Sequence, residues 1–222
     1  MMKVAISWSG GKDSTWTLHK LKQDPEVEVV CLITALMDRS DSVILTMLHR
    51  RLIRMQAESL GLPLREFHAR KTDPAGEYFE LPSRLISTLI AEGVTHVAFG
   101  DISNQDTRKS REANLADTGL EPLFPLWGRD DHELAREIAA GGVKAIIVAV
   151  DPQRLDPGVL GRQFDGKFTH ALPTEVDWCG EDEEFQTFVY DSPDFTIPLA
   201  LMPGSRARHG KKWVLELFPE KA

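Results

Sequence analysis

The sequence predicts an α/β fold: a doubly wound, mainly parallel sheet followed by a smaller C-terminal α+β part. Three observations predict it. Short β-branched runs alternate with helix-length amphipathic segments up to about Asp151, a glycine-rich turn joins the first run to the first helix, and the alternation stops afterwards. A chain of 222 residues has room for one large domain with an appendage, so the expected division is 1–151 and 152–222.

The strand-like runs are 3-KVAIS-7, 27-VEVVCLIT-34, 64-LREFHA-69, 94-VTHVAFG-100 and 143-VKAIIVAV-150. The first helix starts near Ser14. In 47-MLHRRLIRMQAESLG-61, Leu48, Leu52, Met55, Ser59 and Leu60 outline one helical stripe that Gly61 stops. The segment 76-GEYFELPSRLISTLIAEG-93 carries Leu85, Leu89 and Ile90 on one face, with Pro82 able to kink or divide it. A third helix, 131-DHELAREIAAGG-142, has Asp131 as its candidate N-cap. Beyond Asp151, proline and glycine become frequent, and three further strand-like runs follow: 185-FQTFVYDS-192, 195-FTIPLALM-202 and 212-KWVLELF-218. The last two flank a basic, glycine-containing turn and read as an antiparallel hairpin.

Composition narrows the function classes. The net charge of −8 gives no global footprint for nucleic acid, and the basic cluster 206-RARHGKK-212 reads as a solvated turn. No apolar run reaches the roughly 20 residues of a membrane helix, so a cytoplasmic location is expected. The two cysteines lack C-x-x-C spacing, which speaks against a disulfide framework or a zinc site.

The turn 7-SWSGGKDST-15 carries the chemistry. Its spacing fits neither common phosphate loop. Ile6 stands where a Walker A loop needs glycine, Asp13 follows Lys12 instead of serine or threonine, and no third glycine completes a dinucleotide fingerprint. A strand–turn–helix junction still aims a helix dipole and unpaired N–H groups at an anion. Lys12 adds a mobile charge, and Ser9 and Ser14 add hydroxyl donors. Asp13 suits capping or Mg²⁺ binding. Gly100 and Asp101 end a predicted central strand, where open sheets bind ligands, so Asp101 is a second candidate for metal or ribose. Arg108 and Arg111, three apart on one helix side with Glu112 beside them, suit phosphate or carboxylate recognition. The stretch 177-DWCGEDEEFQT-187 gathers Asp177, Glu181, Asp182, Glu183 and Glu184 with no basic residue among them.

S-x-G-G-K-D-S after a first strand resembles the PP-loop of the ATP pyrophosphatases, within the adenine nucleotide alpha hydrolase fold. The segments 56-QAESLGLPL-64, 99-FGDI-102, 108-RKSRE-112, 124-FPLW-127 and 177-DWCGEDEEFQTFVYDSPDF-195 resemble the diphthine–ammonia ligase-like members of that group. The spacing D-I-x-x-x-D-x-R-x-x-R-E is most similar to bacterial members. The resemblance implies ATP and Mg²⁺, adenylation of a carboxylate with release of pyrophosphate, and attack by ammonia to form an amide, with the acceptor itself left open. It places nucleotide binding on Ser7, Ser9, Gly10, Gly11, Lys12, Asp13, Ser14, Gly100 and Asp101, with Asp13 and Asp101 toward metal. Catalysis falls to Lys12, Asp13, Glu181 and Glu184, and substrate contacts to Arg108, Arg111, Glu112, Cys179, Gly180 and Gln186. A homodimer is compatible with this reading. An RNA-modifying PP-loop enzyme and a non-catalytic nucleotide-binding protein are its alternatives.

The chain departs from the family pattern C-G-E-x-G-E-[FY]-H-T…D-G-P at three positions. Glu183 replaces the second glycine, Gln186 the histidine and Ser192 the glycine of D-G-P. The first change is expected to alter a tight turn. The second exchanges a titrating ring for an amide that hydrogen-bonds but carries no proton.

Overall fold

The computed structural model of the chain describes residues 1–37, 41–44, 46–69 and 81–220. Strands β1 (Met2–Ser7), β2 (Val27–Leu36), β3 (Leu64–His68), β4 (His96–Ala98) and β5 (Glu121–Leu123) form a parallel sheet in the order β3-β2-β1-β4-β5. Between them run α1 (Lys12–Lys22), α2 (Arg50–Leu60), α3 (Ser83–Ala91) and α4 (Gln105–Leu115). The chain winds outward from β1 to β3, then restarts at β4 and winds the other way. In open α/β sheets, ligands bind at the carboxyl ends of the strands flanking such a reversal. Here those ends are Ser7 and Ala98, followed by the glycine-rich turn and by Phe99-Gly100-Asp101.

Helices cover both faces of this sheet, which is why its central strands read as apolar runs without alternation. On one face, Leu18 of α1 and Leu52 and Ile53 of α2 pack with Val4, Ile6 and Leu32. On the other, Leu89 of α3 and Leu115 of α4 pack with Ala5, Ile33 and Val97.

A helix, α5 (Asp131–Ala140), leads into an antiparallel sheet of β6 (Lys144–Val150), β7 (Phe185–Asp191), β8 (Leu201–His209) and β9 (Lys212–Pro219), ordered β7-β6-β9-β8. The long β6–β7 connection holds one 3-10 turn, Pro157–Val159, and a short helix, α6 (Gly166–His170). The larger core cluster runs through both sheets: Ile147, Val150, Phe185, Phe188 and Leu215 share it with Ile6, Trp8 and Leu18.

Several elements differ from the sequence expectation. The run 143–150 belongs to the antiparallel sheet, where β7 and β9 flank it. A centrally buried strand is apolar on both faces in either kind of sheet, so its composition does not say which it joins. The fifth parallel strand is Glu121–Leu123, too short and too proline-marked to show a pattern. The sheets therefore change over between β5 and β6, ahead of the break in rhythm at Asp151. α1 begins at Lys12, two residues before the expected start. Asp130, not Asp131, caps α5, accepting from the Glu133 N–H at 2.9 Å. Pro82 stands just before α3, and the expected helix over 76–80 lies outside the described residues. The hairpin is present, but its first strand is shifted: 195–200 is not strand, β8 runs Leu201–His209, and the turn shrinks to Gly210 and Lys211. Most of the basic cluster is thus paired strand rather than turn.

Candidate active site

The glycine-rich turn is held open by contacts from α2 and β7. Gly10 sits at φ +81°, and a Cβ there would lie 2.5 Å from Ile53 Cδ1 and 2.7 Å from Gln56 Oε1, so both conformation and space require glycine. Its carbonyl accepts from the Val189 N–H at 2.9 Å and from Gln56 Nε2 at 3.0 Å. Gln56 is wholly buried and fully used, since it also donates to Val189 O at 2.6 Å and accepts from Trp8 Nε1 at 2.9 Å. Gly11 precedes α1 and caps it with no side chain, leaving the dipole of that helix open to an anion. Ser9 Oγ accepts from the Gly11 N–H at 3.3 Å and lies 3.3 Å from Ser14 Oγ.

Lys12 is not the mobile charge expected from the sequence. It is 2% exposed, and its Nζ donates to the Asp13 carboxylate at 2.8 and 2.9 Å and to the Cys179 carbonyl. The Phe164 and Phe185 rings lie 5.4 and 5.6 Å away. Burial works against this charge, but the Asp13 carboxylate outweighs it and holds the ammonium above the ordinary lysine range. The Lys12 N–H donates to Thr187 Oγ1 at 3.1 Å, a second tie between the loop and β7. Across the crevice, Gly100 lets the end of β4 approach the start of α1, because a Cβ would stand 3.0 Å from Asp13 C and 3.2 Å from Ser14 N.

These walls enclose a cleft of about 280 Å³. It is lined by Ser7, Ser9, Gly11, Lys12, Asp13 and Ser14 from the loop, Gly100, Asp101 and Arg111 from the β4–α4 side, and Cys179, Gly180, Glu181 and Gln186 from the acidic segment. Thirteen of the sequence-derived candidates thus meet in one place. Asp101 pairs with Arg111 at 3.4 Å, and Arg111 lies 5.0 Å from the Phe99 ring. Glu181 Oε1 accepts from the N–H groups of Ile102 at 2.9 Å and Ser103 at 3.2 Å. Burial raises the pKa of this carboxyl to about 7, partly opposed by the Ile102 hydrogen bond and reinforced by Asp13. A smaller apolar slot of about 60 Å³ adjoins the cleft, and both share Ser7, Ser9, Phe99 and Arg111.

Four candidates stand elsewhere. Gly10 lies behind the loop against Ile53 and Phe188. Arg108 bonds Glu112 at 2.7 Å and lies 4.8 and 4.7 Å from the Phe124 and Trp127 rings, which occupies both residues away from the cleft. Glu184 is fully buried, accepting from Arg154 at 3.2 Å and from the Asp177 N–H at 3.2 Å. It does not line the cleft, so the structure offers it no contact with a substrate there.

The acidic stretch, free of basic residues in sequence, is compensated in space: Lys212 Nζ reaches Glu183 Oε2 at 2.6 Å. The turn at Glu183 is also kept rather than altered, since its backbone takes φ +64°, the left-handed conformation natural to glycine. Sequence reasoning passed over Gln56, Thr187 and Asn104, although the first two lie inside quoted segments. A buried glutamine three residues beyond an apolar pair was the available signal, and its partners were not.

Two family models match the chain: diphthamide synthase N-terminal domain over residues 2–122, and diphthamide synthase C-terminal domain over residues 130–217. The diphthine–ammonia ligase of Mus musculus is 29% identical over 231 residues, covering 94% of this chain and 86% of that protein. The Homo sapiens protein of the same name is 27% identical over 216 residues, covering 87% and 80%. Among solved structures, U34-tRNA thiolase NcsA from Methanococcus maripaludis with its [4Fe-4S] cluster aligns at TM-score 0.34 and 19% identity, over 63% of this chain and 55% of that one.

Proposed function

The chain belongs to the diphthamide synthase family, and we propose that it is an ATP-dependent carbon–nitrogen ligase that adenylates a carboxylate and passes it to ammonia, a reading in line with the name diphthine–ammonia ligase of its relatives. One observation carries the reading: the cleft at the strand reversal joins the uncapped start of α1 to the acidic 179–187 wall. Nucleotide contacts would come from the 1–151 part and the acceptor wall from 152–222. The triphosphate lies along Ser9, Gly11 and Ser14, and the adjoining apolar slot takes the base. A carboxylate oxygen of the acceptor attacks the α-phosphorus, and the bridging P–O bond to pyrophosphate breaks. Ammonia then attacks the acyl carbon, AMP leaves with the C–O bond electrons, and the nitrogen sheds a proton.

Lys12 offsets charge beneath the loop, and its fixed position removes the need to reorganise as charge develops. Asp13 and Asp101 both line the cleft as hard oxygen donors, and with Glu181, Asp182 and Glu183 the carboxylates there outnumber Lys12 and Arg111. That donor set fits Mg²⁺, which Asp13 and Asp101 would hold and which would neutralise the departing pyrophosphate. The Cys179 thiol is buried and donates to Asp131 O at 3.5 Å, so it is not placed as a sulfur nucleophile. Free buried cysteines and use of ATP suit a cytoplasmic setting.

Lys12→Ala and Asp13→Ala are expected to lower AMP formation from ATP and Mg²⁺ by roughly 100-fold or more, the scale of losing a preorganised charge at a reacting centre. Pyrophosphate release in the presence of ammonium and acceptor extracts measures it. Wild-type turnover in both variants would sink the assignment.

A further inference from the structure

Glu181 has the position of a proton carrier but the bonding of a clamp. Its Oε1 accepts from three successive backbone donors: Ile102 at 2.9 Å, Ser103 at 3.2 Å and Asn104 at 3.5 Å. These residues follow Asp101 and lead into α4, which carries Arg111. The Asn104 side chain caps α4 by accepting from the N–H groups of Asp106 and Thr107 at 3.1 and 3.0 Å, and so leaves the preceding donors to Glu181.

The turn that presents Glu181 is itself fixed. Asp177 Oδ1 accepts from the N–H groups of Cys179 at 2.6 Å and Glu181 at 3.4 Å. Gly180 has φ +69° and packs so that a Cβ would meet Phe185 O at 2.9 Å. The same turn grips the opposite wall, because the Cys179 carbonyl accepts from Lys12. One short segment of the C-terminal part thus holds both the phosphate loop and the β4–α4 loop.

We propose that Glu181 is a positioning residue, which sets the distance of Asp101 and Arg111 from the phosphate loop by clamping the 102–104 backbone, and that it is not the group that accepts the proton of the nitrogen nucleophile. The proposal rests on the ligase reading above and assigns a role within that site. Its chemistry separates two variants. A glutamine carbonyl oxygen can accept the same N–H bonds but cannot act as a base, whereas alanine can do neither.

The experiment compares wild type, Glu181→Gln and Glu181→Ala by hydrogen exchange of the 102–104 amides, by calorimetric ATP affinity, and by kcat and KM for pyrophosphate release. Glu181→Gln is expected to keep amide protection and to stay within about fivefold of wild type in kcat/KM, the cost of replacing charged by neutral hydrogen bonds. Glu181→Ala is expected to lose protection at 102–104 and to weaken ATP binding about tenfold or more, the scale of losing hydrogen bonds to a charged group. Protection retained in Glu181→Ala overturns the clamp. Glu181→Gln as inactive as Glu181→Ala, with protection intact, makes Glu181 the proton carrier instead. A wild type without pyrophosphate release would refute the ligase reading, while exchange and ATP affinity would still decide the clamp.

Discussion

At Glu183 a side chain occupies a backbone position at φ +64° that favours glycine. The ion pair with Lys212 helps hold it there, but left-handed backbone costs a β-carbon about 1–2 kcal/mol. Glu183→Gly and Glu183→Ala both lose the ion pair, and only the first relieves the backbone. The glycine variant is therefore expected to be the more stable of the two by about 1 kcal/mol in urea denaturation, the reverse of the order at ordinary positions. Alanine equal to or above glycine would refute the strain. The cysteines give a second test. Burial pushes the Cys31 thiol up to about 11 and the Cys179 thiol higher still. At pH 8 roughly one Cys31 in a thousand is thiolate. A disulfide reagent is expected to modify neither thiol in the native protein and both in denaturant; fast native reaction would contradict their burial. Residues of the glycine-rich loop were legible because strand, turn and helix follow one another, so sequence spacing fixes their geometry. The clamp of Glu181 was not, because its partners lie 77 to 79 residues away.

Among the elements, α2 shows how a helix outside the site governs it. The stripe was readable from spacing: Leu48, Leu52, Ser59 and Leu60 are buried and Met55 is partly so, and Ile53, outside the stripe, is buried beside them. Gln56 is on the same buried side, and only the fold reveals that it joins Trp8, the Gly10 carbonyl and the Val189 carbonyl. Gln56→Leu keeps the volume but orphans the Trp8 indole N–H and takes one hydrogen bond each from the Gly10 and Val189 carbonyls, of which Gly10 keeps its bond from the Val189 N–H. A buried unpaired group costs about 1–3 kcal/mol, so the variant should lose about 2 kcal/mol or more by urea denaturation, and ATP affinity should fall with it. Unchanged stability would show that the loop is held by its glycines alone. The strand β6 illustrates the opposite case. Its apolar run is the clearest strand signal in the chain, yet its sheet was misassigned, because burial on both faces records centrality and not direction. Pairing with β7 and β9, residues apart in sequence, settles what local pattern leaves open.

For the whole molecule, the consequence is that the two sheets share one core. The main cluster joins Trp8 and Leu18 beneath the parallel sheet to Phe185 and Leu215 of the antiparallel one. The glycine-rich loop bonds β7 through Gly10 and Lys12, so the residues it turns toward the cleft take their geometry from the C-terminal part. Heating should therefore give a single transition, with calorimetric and van't Hoff enthalpies in agreement. A ligand that binds the folded cleft adds about 2.7 kcal/mol at 100 times its dissociation constant. For a chain of this size each kcal/mol raises Tm by about 2–4 °C, so α,β-methylene-ATP with Mg²⁺ should raise it by about 5–10 °C. Both far-ultraviolet dichroism and the fluorescence of the five tryptophans, which include Trp8 and Trp16 of the N-terminal part and Trp213 on β9, should report the same shifted midpoint. Lys12→Ala should show one transition and little shift. Two transitions in wild type, with only the earlier or the later moved by nucleotide, would mean that the parallel sheet binds ATP without support from β7.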